Sequence, residues 1–257
     1  MREGIERKGL ITVMETIGIE VGNSNVKIGL FYKERLVKVI TFPTKDIECF
    51  KIPAFWNNRK PVLIGIASVV PQINTLLKEK FSIYKKKVFF ITPSLCGIPL
   101  KIKNPDRVGV DRVLNCKAAI EFFNSDVVVI DIGTAITMDY ASRKGFFGGV
   151  IIPGPFLWKG ALTSTALIKD IKEVRAKIPG KDTSEAICSG IRYGIPGAIN
   201  SIVSVYKKRY PSVKVVLTGG GSKEFNKGIE FDIMRKYLGL EGLGMVLYGM
   251  YGKTRRM

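Results

Sequence analysis

The chain has 257 residues, 46% of them hydrophobic and 25% charged, which suits one large or two small globular units and excludes a disordered polymer. It contains no histidine, so His-based triads and His metal sites are excluded and any general base must be a carboxylate, Lys, Tyr or Cys. The formal net charge is +19, but the basic residues are scattered, with local clusters at 78–87, 207–209 and 253–256, and no nucleic-acid-binding motif accompanies them; a solvated surface is expected, not a nucleic-acid site.

The four cysteines, Cys49, Cys96, Cys116 and Cys188, are widely spaced without a CxxC pair, which fits free thiols in a reducing cytoplasm better than zinc or disulfides. The longest nearly uncharged run, Pro61 to Leu77, is too short and too broken by Pro and polar residues to span a membrane. Charges between Arg2 and Lys8, and Glu15 further on, argue against a signal peptide, and residues 1–13 before Met14 read either as an upstream extension or as an over-long start assignment.

In chain order, β-branched runs bounded by turn residues predict strands at 15–21, 26–32, 36–41, 61–68 and 87–91. Helical periodicity fits 71–81 and, more strongly, 110–123, where Val110, Val113, Leu114, Lys117, Ala118 and Phe122 lie close to one stripe. A second series follows: strands at 126–131, 137–141 and 146–152, helices at 154–167 and 183–206, a strand at 213–217 and a helix at 225–234. Three strands and then alternating helix and strand, occurring twice, is an α/β plan of two units, with a boundary near Asn124-Ser125 that divides the chain into 14–124 and 125–257.

The two series begin alike. Ile19-Glu20-Val21-Gly22-Asn23-Ser24-Asn25 and Ile130-Asp131-Ile132-Gly133-Thr134-Ala135-Ile136 are each an apolar run that ends in an acid, one apolar residue, a Gly and small polar residues before a returning strand. Gly lets backbone approach a phosphate closely, and the neighbouring amides and hydroxyls donate hydrogen bonds. Two such hairpins facing each other would surround one polyphosphate with two carboxylates and two donor sets. A third Gly turn, Thr218-Gly219-Gly220-Gly221-Ser222, follows the strand at 213–217, at the strand end where α/β sheets bind ligands.

These motifs, with Ser68-Val69-Val70-Pro71, Asn104-Pro105-Asp106-Arg107-Val108-Gly109-Val110-Asp111-Arg112, Gly148-Gly149-Val150-Ile151-Ile152-Pro153-Gly154, Thr183-Ser184-Glu185-Ala186 and Ser189-Gly190-Ile191, resemble the type III pantothenate kinase (Bvg accessory factor) family, from about Thr16 to about Gly244. The resemblance implies two duplicated ribonuclease H-like domains of the actin-like ATPase group with a nucleotide cleft between them. It implies ATP-dependent phosphorylation of the primary hydroxyl of pantothenate, the first step toward coenzyme A, by a cytoplasmic homodimer that uses Mg2+ and a monovalent cation (K+ or NH4+).

By position, Asp111 matches the general base. Glu20, Val21, Gly22, Asn23, Ser24, Asn25, Val26 and Lys27, with Thr134, Gly219 and Gly220, match ATP contacts. Gly109, Val110, Asp111, Arg112, Thr183 and Ile102 match the acceptor site, Asp131 a monovalent-cation ligand, and Glu20 a Mg2+ site through the phosphates. Thr183 serves equally well as the N-cap of the helix that follows it. The chain departs from the pattern at two places. Glu20 stands where the family has Asp, displacing the carboxylate by about 1 Å, and Ile102 stands where a substrate-contacting Tyr is expected. A same-fold kinase for another hydroxyl acceptor and a non-enzymatic nucleotide-binding or transcription-accessory protein are the alternatives.

Overall fold

The computed structural model describes residues 15–50, 63–164 and 171–254. The extension at 1–13, the first two positions (61–62) of the fourth predicted strand, the end of the predicted helix at 165–167 and the basic residues at 255–256 lie outside the described residues. The first half contains strands β1 (Glu15–Val21), β2 (Asn25–Tyr32), β3 (Arg35–Pro43), β4 (Leu63–Ser68) and β5 (Val88–Phe90), with helix α1 (Pro71–Lys80) between the last two. Helix α2 (Val110–Phe123) then leads into β6 (Val127–Ile132), β7 (Ala135–Ser142) and β8 (Gly145–Pro153). Helices α3 (Pro155–Ser164) and α4 (Thr183–Arg209), strand β9 (Lys214–Thr218), the short helix α5 (Ser222–Phe225), β10 (Ile233–Met234) and helix α6 (Leu238–Thr254) complete the described chain.

The two sheets have one topology. Their orders are β3-β2-β1-β4-β5 and, read in the same sense, β8-β7-β6-β9-β10. In each, the first three strands form an antiparallel meander and the fourth and fifth add in parallel. The duplication inferred from the two hairpins is thus a duplication of the whole sheet.

Alternation along β1 and β6 sorts their side chains between two faces. Ile17, Ile19 and Val21 join a core with Leu77 and Phe81 on the outer side of the first sheet, and Ile130 and Ile132 join one with Ile195, Ile199 and Val203 of α4 on the outer side of the second. The intervening residues, including Glu20 and Asp131, therefore face inward. The largest core lies between the sheets and is built mainly from α2 and α6.

These two helices cross over. Helix α2 packs on α6 and on β6 and β7 of the second sheet, while α6 packs on β1, β2, β3 and β4 of the first. A row of paired glycines, Gly29, Gly18 and Gly65 on β2, β1 and β4, makes the seat for α6: a Cβ on Gly18 or Gly65 would lie 2.9 or 2.6 Å from Leu243 or Leu247.

Three expectations need correction. The helix predicted at 225–234 is absent; this segment holds the end of α5, a 3-10 turn at Asn226–Gly228 and strand β10, because Ile233 and Met234 pair with Val216 and Leu217 at the sheet edge. Helix α2 is not a one-stripe amphipathic helix. Asn115, Cys116, Ala119 and Ile120 are buried along with Val110, Val113, Leu114 and Ala118, while Phe122 is 42% exposed, as befits a helix enclosed by a sheet and another helix. The long C-terminal helix α6 has no counterpart among the elements predicted from sequence.

Candidate active site

The two acid–glycine hairpins face each other. Ser24 Oγ and Thr134 Oγ1 are hydrogen-bonded at 2.7 Å across 110 positions of sequence, so the two donor sets meet at one point. Each hairpin is closed by a backbone bond from its glycine, Gly22 N–H to Asn25 O and Gly133 N–H to Ala135 O, both 3.0 Å. The first is braced by the buried Thr44, whose Oγ1 donates to Gly22 O at 2.7 Å and whose N–H donates to Ser24 O at 3.0 Å. The second is braced by Gly154, whose N–H donates to Thr134 O at 3.1 Å and where a Cβ would lie 2.3 Å from Gly133 O. Thr44 carries no signal in the sequence, because it is brought to the hairpin only by β3.

Three carboxylates share this cleft. Glu20 and Lys27 are cross-strand partners on β1 and β2, and Lys27 Nζ donates to Glu20 Oε1 at 2.8 Å. Burial by itself would lower the Lys27 pKa, but Glu20 beside it, with Asp131 and Asp111 farther off, raises it overall, so Lys27 stays charged. Glu20 Oε2 is buried without a hydrogen-bond partner, and it lies against the first turn of α6 at Gly239, where a Cβ would come within 3.0 Å of it. Asp131 Oδ2 accepts from Asn115 Nδ2 of α2 at 2.8 Å, and Gly219 abuts its other oxygen so closely that a Cβ there would lie 2.4 Å away. Gly219 also has φ +96, so the Gly turn after β9 is fitted onto the second hairpin, while Gly220 beside it is exposed and open. Asn115 is invisible to sequence reasoning because it sits among apolar residues of a buried helix.

Burial is the main cause that raises the Asp131 pKa, to about 6, with Asp111 and Glu20 adding and Lys27 and Asn115 opposing. The unfolded chain releases this proton near pH ~3.9, so the native state binds more protons between these values and stability falls as pH rises through that window. An Asp131→Asn variant is therefore expected to be more stable than wild type at pH 7, by on the order of 3 kcal/mol, and to lose that advantage below about pH 4. Thermal melts from about pH 3.5 to 8 in potassium-free buffer check this across the window.

Asp111 occupies the first turn of α2, after the helix N-cap Gly109. Its Oδ1 accepts from Arg112 N–H at 2.9 Å and lies 2.4 Å from where a Gly109 Cβ would sit, so only glycine leaves room for the carboxylate to fold back there. Burial raises the Asp111 pKa, the Arg112 amide bond opposes this, and Glu20 raises it further. Arg112 points the other way. Its Nε donates to both oxygens of Asp139, at 3.1 and 3.0 Å, its Nη2 also donates to Oδ1, and Asp139 is buried on β7.

Arg112, Ile102 and Gly149 line a cavity of about 260 Å³ with Asn104, Arg107, Val108, Phe146 and Gly148. The expected acceptor residues Gly109, Val110 and Asp111 lead into α2 beside it. Thr183 is not among them. It opens α4 on a separate cavity of about 540 Å³ lined also by Trp158, Leu162 and Ile187. The N-cap of α4 is Asp182, not Thr183: Asp182 Oδ1 accepts from Glu185 N–H at 2.8 Å.

Paired inward-facing acids, facing hydroxyl-bearing hairpins and a third glycine turn thus converge on one cleft between duplicated five-stranded sheets. Residues 16–205 match the family model for type III pantothenate kinase. The chain is 32% identical over 253 residues to the type III pantothenate kinase of Persephonella marina, spanning 88% of this chain and 96% of that one, and 32% identical over 238 residues to that of Thermosipho melanesiensis, spanning 87% and 94%. Among solved structures, a Baf-family protein from Campylobacter jejuni, described as a transcriptional activator, superposes with a TM-score of 0.63 at 21% identity, over 92% of this chain and 99% of that one. Component A of (R)-2-hydroxyglutaryl-CoA dehydratase from Acidaminococcus fermentans gives a TM-score of 0.55 at 13% identity, over 93% and 99%. This chain belongs to the type III pantothenate kinase family.

Proposed function

We propose that the protein transfers the γ-phosphoryl group of ATP to the primary hydroxyl of pantothenate, forming 4′-phosphopantothenate and ADP. The observation that carries this reading is the meeting of Ser24 and Thr134 at 2.7 Å beside the half-buried acids of one cleft, in a chain of this family. The hairpin from Glu20 to Lys27, with Thr134, surrounds the phosphates, and the Gly219-Gly220 turn lies on the nucleoside side. The acceptor occupies the cavity of Ile102 and Arg112.

Asp111 takes the hydroxyl proton as the oxygen bonds to the γ-phosphorus and the bond to the β-phosphate oxygen breaks. Burial strengthens Asp111 as a proton acceptor, and α2 aims it by anchoring its whole length in the central core. Positioning and charge neutralisation supply most of the remaining acceleration.

The cleft suits cations. Glu20 Oε2 is buried and unpartnered, and among the described residues no group of three acidic or cysteine side chains is placed to hold a metal alone, which fits Mg2+ shared between one carboxylate and the phosphates. Such an ion neutralises phosphate charge when bound. The same reading gives Asp131 a monovalent cation, and the hydrogen bond that fixes one of its oxygens to Asn115 supports it.

A homodimer in the cytoplasm is part of the same reading. Phe156, Leu157 and Leu162 of α3 and Tyr193 of α4 are exposed, with Phe156 at 82%, and Leu162 also lines the Thr183 cavity, so apolar surface is available there for a second copy. Among the described residues no helix is long and apolar enough to cross a membrane.

The test is ATP turnover with Mg2+ and K+, with and without pantothenate, with the product identified by mass. Product of the mass of 4′-phosphopantothenate supports the reading; ATP consumed with other hydroxyl acceptors only would move it to another substrate, as Ile102 would permit. Glu20 and Lys27 are matched in length across the strand pair, so Glu20→Asp is expected to lower kcat/KM for ATP by about 10- to 100-fold by withdrawing the carboxylate about 1 Å from Lys27. Steady-state kinetics with ATP as the varied substrate check this.

A further inference from the structure

Two guanidinium groups line the acceptor cavity, and they are not electrostatically equivalent. Arg112 is engaged through Nε and Nη2 by Asp139, which is 2% exposed. A cation already matched by a buried carboxylate presents a neutral pair to a second anion and attracts it weakly. The pair also lies deep: a Cβ on Gly149, a lining residue, would come within 2.5 Å of Asp139 Oδ1. Arg112 lines the cavity, and Asp139, buried on β7 behind the lining, compensates its charge.

Arg107 differs in each respect. It closes the 3-10 turn Pro105–Arg107, donating its N–H to Asn104 O at 3.1 Å, and it is exposed. It lines the same cavity and has no ion-pair or hydrogen-bond partner for its guanidinium among the described residues. Ile102 next to it offers no hydrogen bond where the family pattern has a Tyr, which leaves Arg107 as the only uncompensated cation lining this cavity among the described residues. Pantothenate carries its carboxylate at the opposite end from its primary hydroxyl. With the hydroxyl at Asp111 in the first turn of α2, the carboxylate lies at the far end of the acceptor, and Arg107 is the exposed cation of the cavity available to it.

We propose that Arg107 is the specificity-determining anchor for the acceptor carboxylate, while Arg112, neutralised by Asp139, positions the rest of the molecule. This rests on the pantothenate reading above. The pairing is guanidinium to carboxylate, whose planar geometries match, and it replaces recognition lost with the Tyr at position 102.

The experiment compares wild type, Arg107→Gln and Arg107→Lys on pantothenate and on pantothenol, the alcohol that lacks the carboxylate. Wild type is expected to favour pantothenate. Arg107→Gln is expected to raise KM for pantothenate by about 10- to 100-fold, the loss of one charge-assisted hydrogen-bonded pair, with kcat within about threefold. Its KM for pantothenol should stay at the wild-type value, so the preference collapses, and Arg107→Lys should retain part of it. A merely structural role would move both substrates together. An Arg107→Gln enzyme that keeps the wild-type preference overturns the anchor and leaves the pantothenate reading standing. A wild-type enzyme that phosphorylates neither compound overturns both.

Discussion

Replacing Asp111 by Asn is expected to lower kcat by about 10²- to 10⁴-fold while nucleotide affinity stays within about threefold of wild type. The substitution keeps the shape of the side chain and its acceptor for the Arg112 N–H, so α2 keeps its first turn. It removes the site that receives the hydroxyl proton. It also removes a negative charge from a cleft that already contains Glu20 and Asp131, so ATP binding has no electrostatic reason to weaken. Single-turnover phosphorylation and calorimetric titration with ATP separate the two quantities. Unchanged turnover would remove Asp111 from the chemistry and leave positioning as its role.

The second large effect is on stability. Gly242→Val is expected to destabilise the protein by about 3 kcal/mol or more and to lower its melting temperature by roughly 6–12 °C. A Cβ at Gly242 would lie 2.2 Å from the carbonyl oxygen of Leu114 and 2.8 Å from its carbonyl carbon, so α6 meets the backbone of α2 and no rotamer change relieves the contact. Separating the helices would also shift Asp111 and Asn115, which are carried by α2, and draw Gly239 away from Glu20. Turnover should therefore fall along with stability. Gly249→Ala, on the same helix, provides the comparison: nothing lies within 4 Å of its Cβ position and Gly249 is exposed, so this change should hold or slightly raise the melting temperature. Differential scanning calorimetry of both variants measures the contrast.

What is legible in the sequence is local. The hairpins announce themselves because a turn that must admit a phosphate requires glycine and small donors at fixed spacing, and the strands beside them are β-branched. The limits of α2 at Val110 and Phe123 follow from local pattern, but its burial does not, since packing against both a sheet and another helix buries most of its circumference and leaves no single apolar stripe. Helix α6 is hidden for a related reason. It carries Gly239, Gly242, Gly244, Gly249 and Gly252, residues that weaken an isolated helix, and three of them are there to let it approach Glu20, Leu114 and Phe31. The segment at 225–234 fails in the opposite direction: local pattern favours a helix, and pairing with β9 decides the two-residue strand.

Local pattern reveals the duplicated acid–glycine unit, two series of strands and helices and the set of residues shared with the kinase family, because each is read within short stretches of chain. Only the folded chain brings Ser24 to Thr134, Asn115 to Asp131 and Asp139 to Arg112, and leaves the Arg107 guanidinium without a partner among the described residues. It also placed Thr183 in a different cavity from Ile102. The physical reason is that charge pairing depends on distance in space, and residues 16 to 110 positions apart come within hydrogen-bond reach only when the two sheets close on α2 and α6.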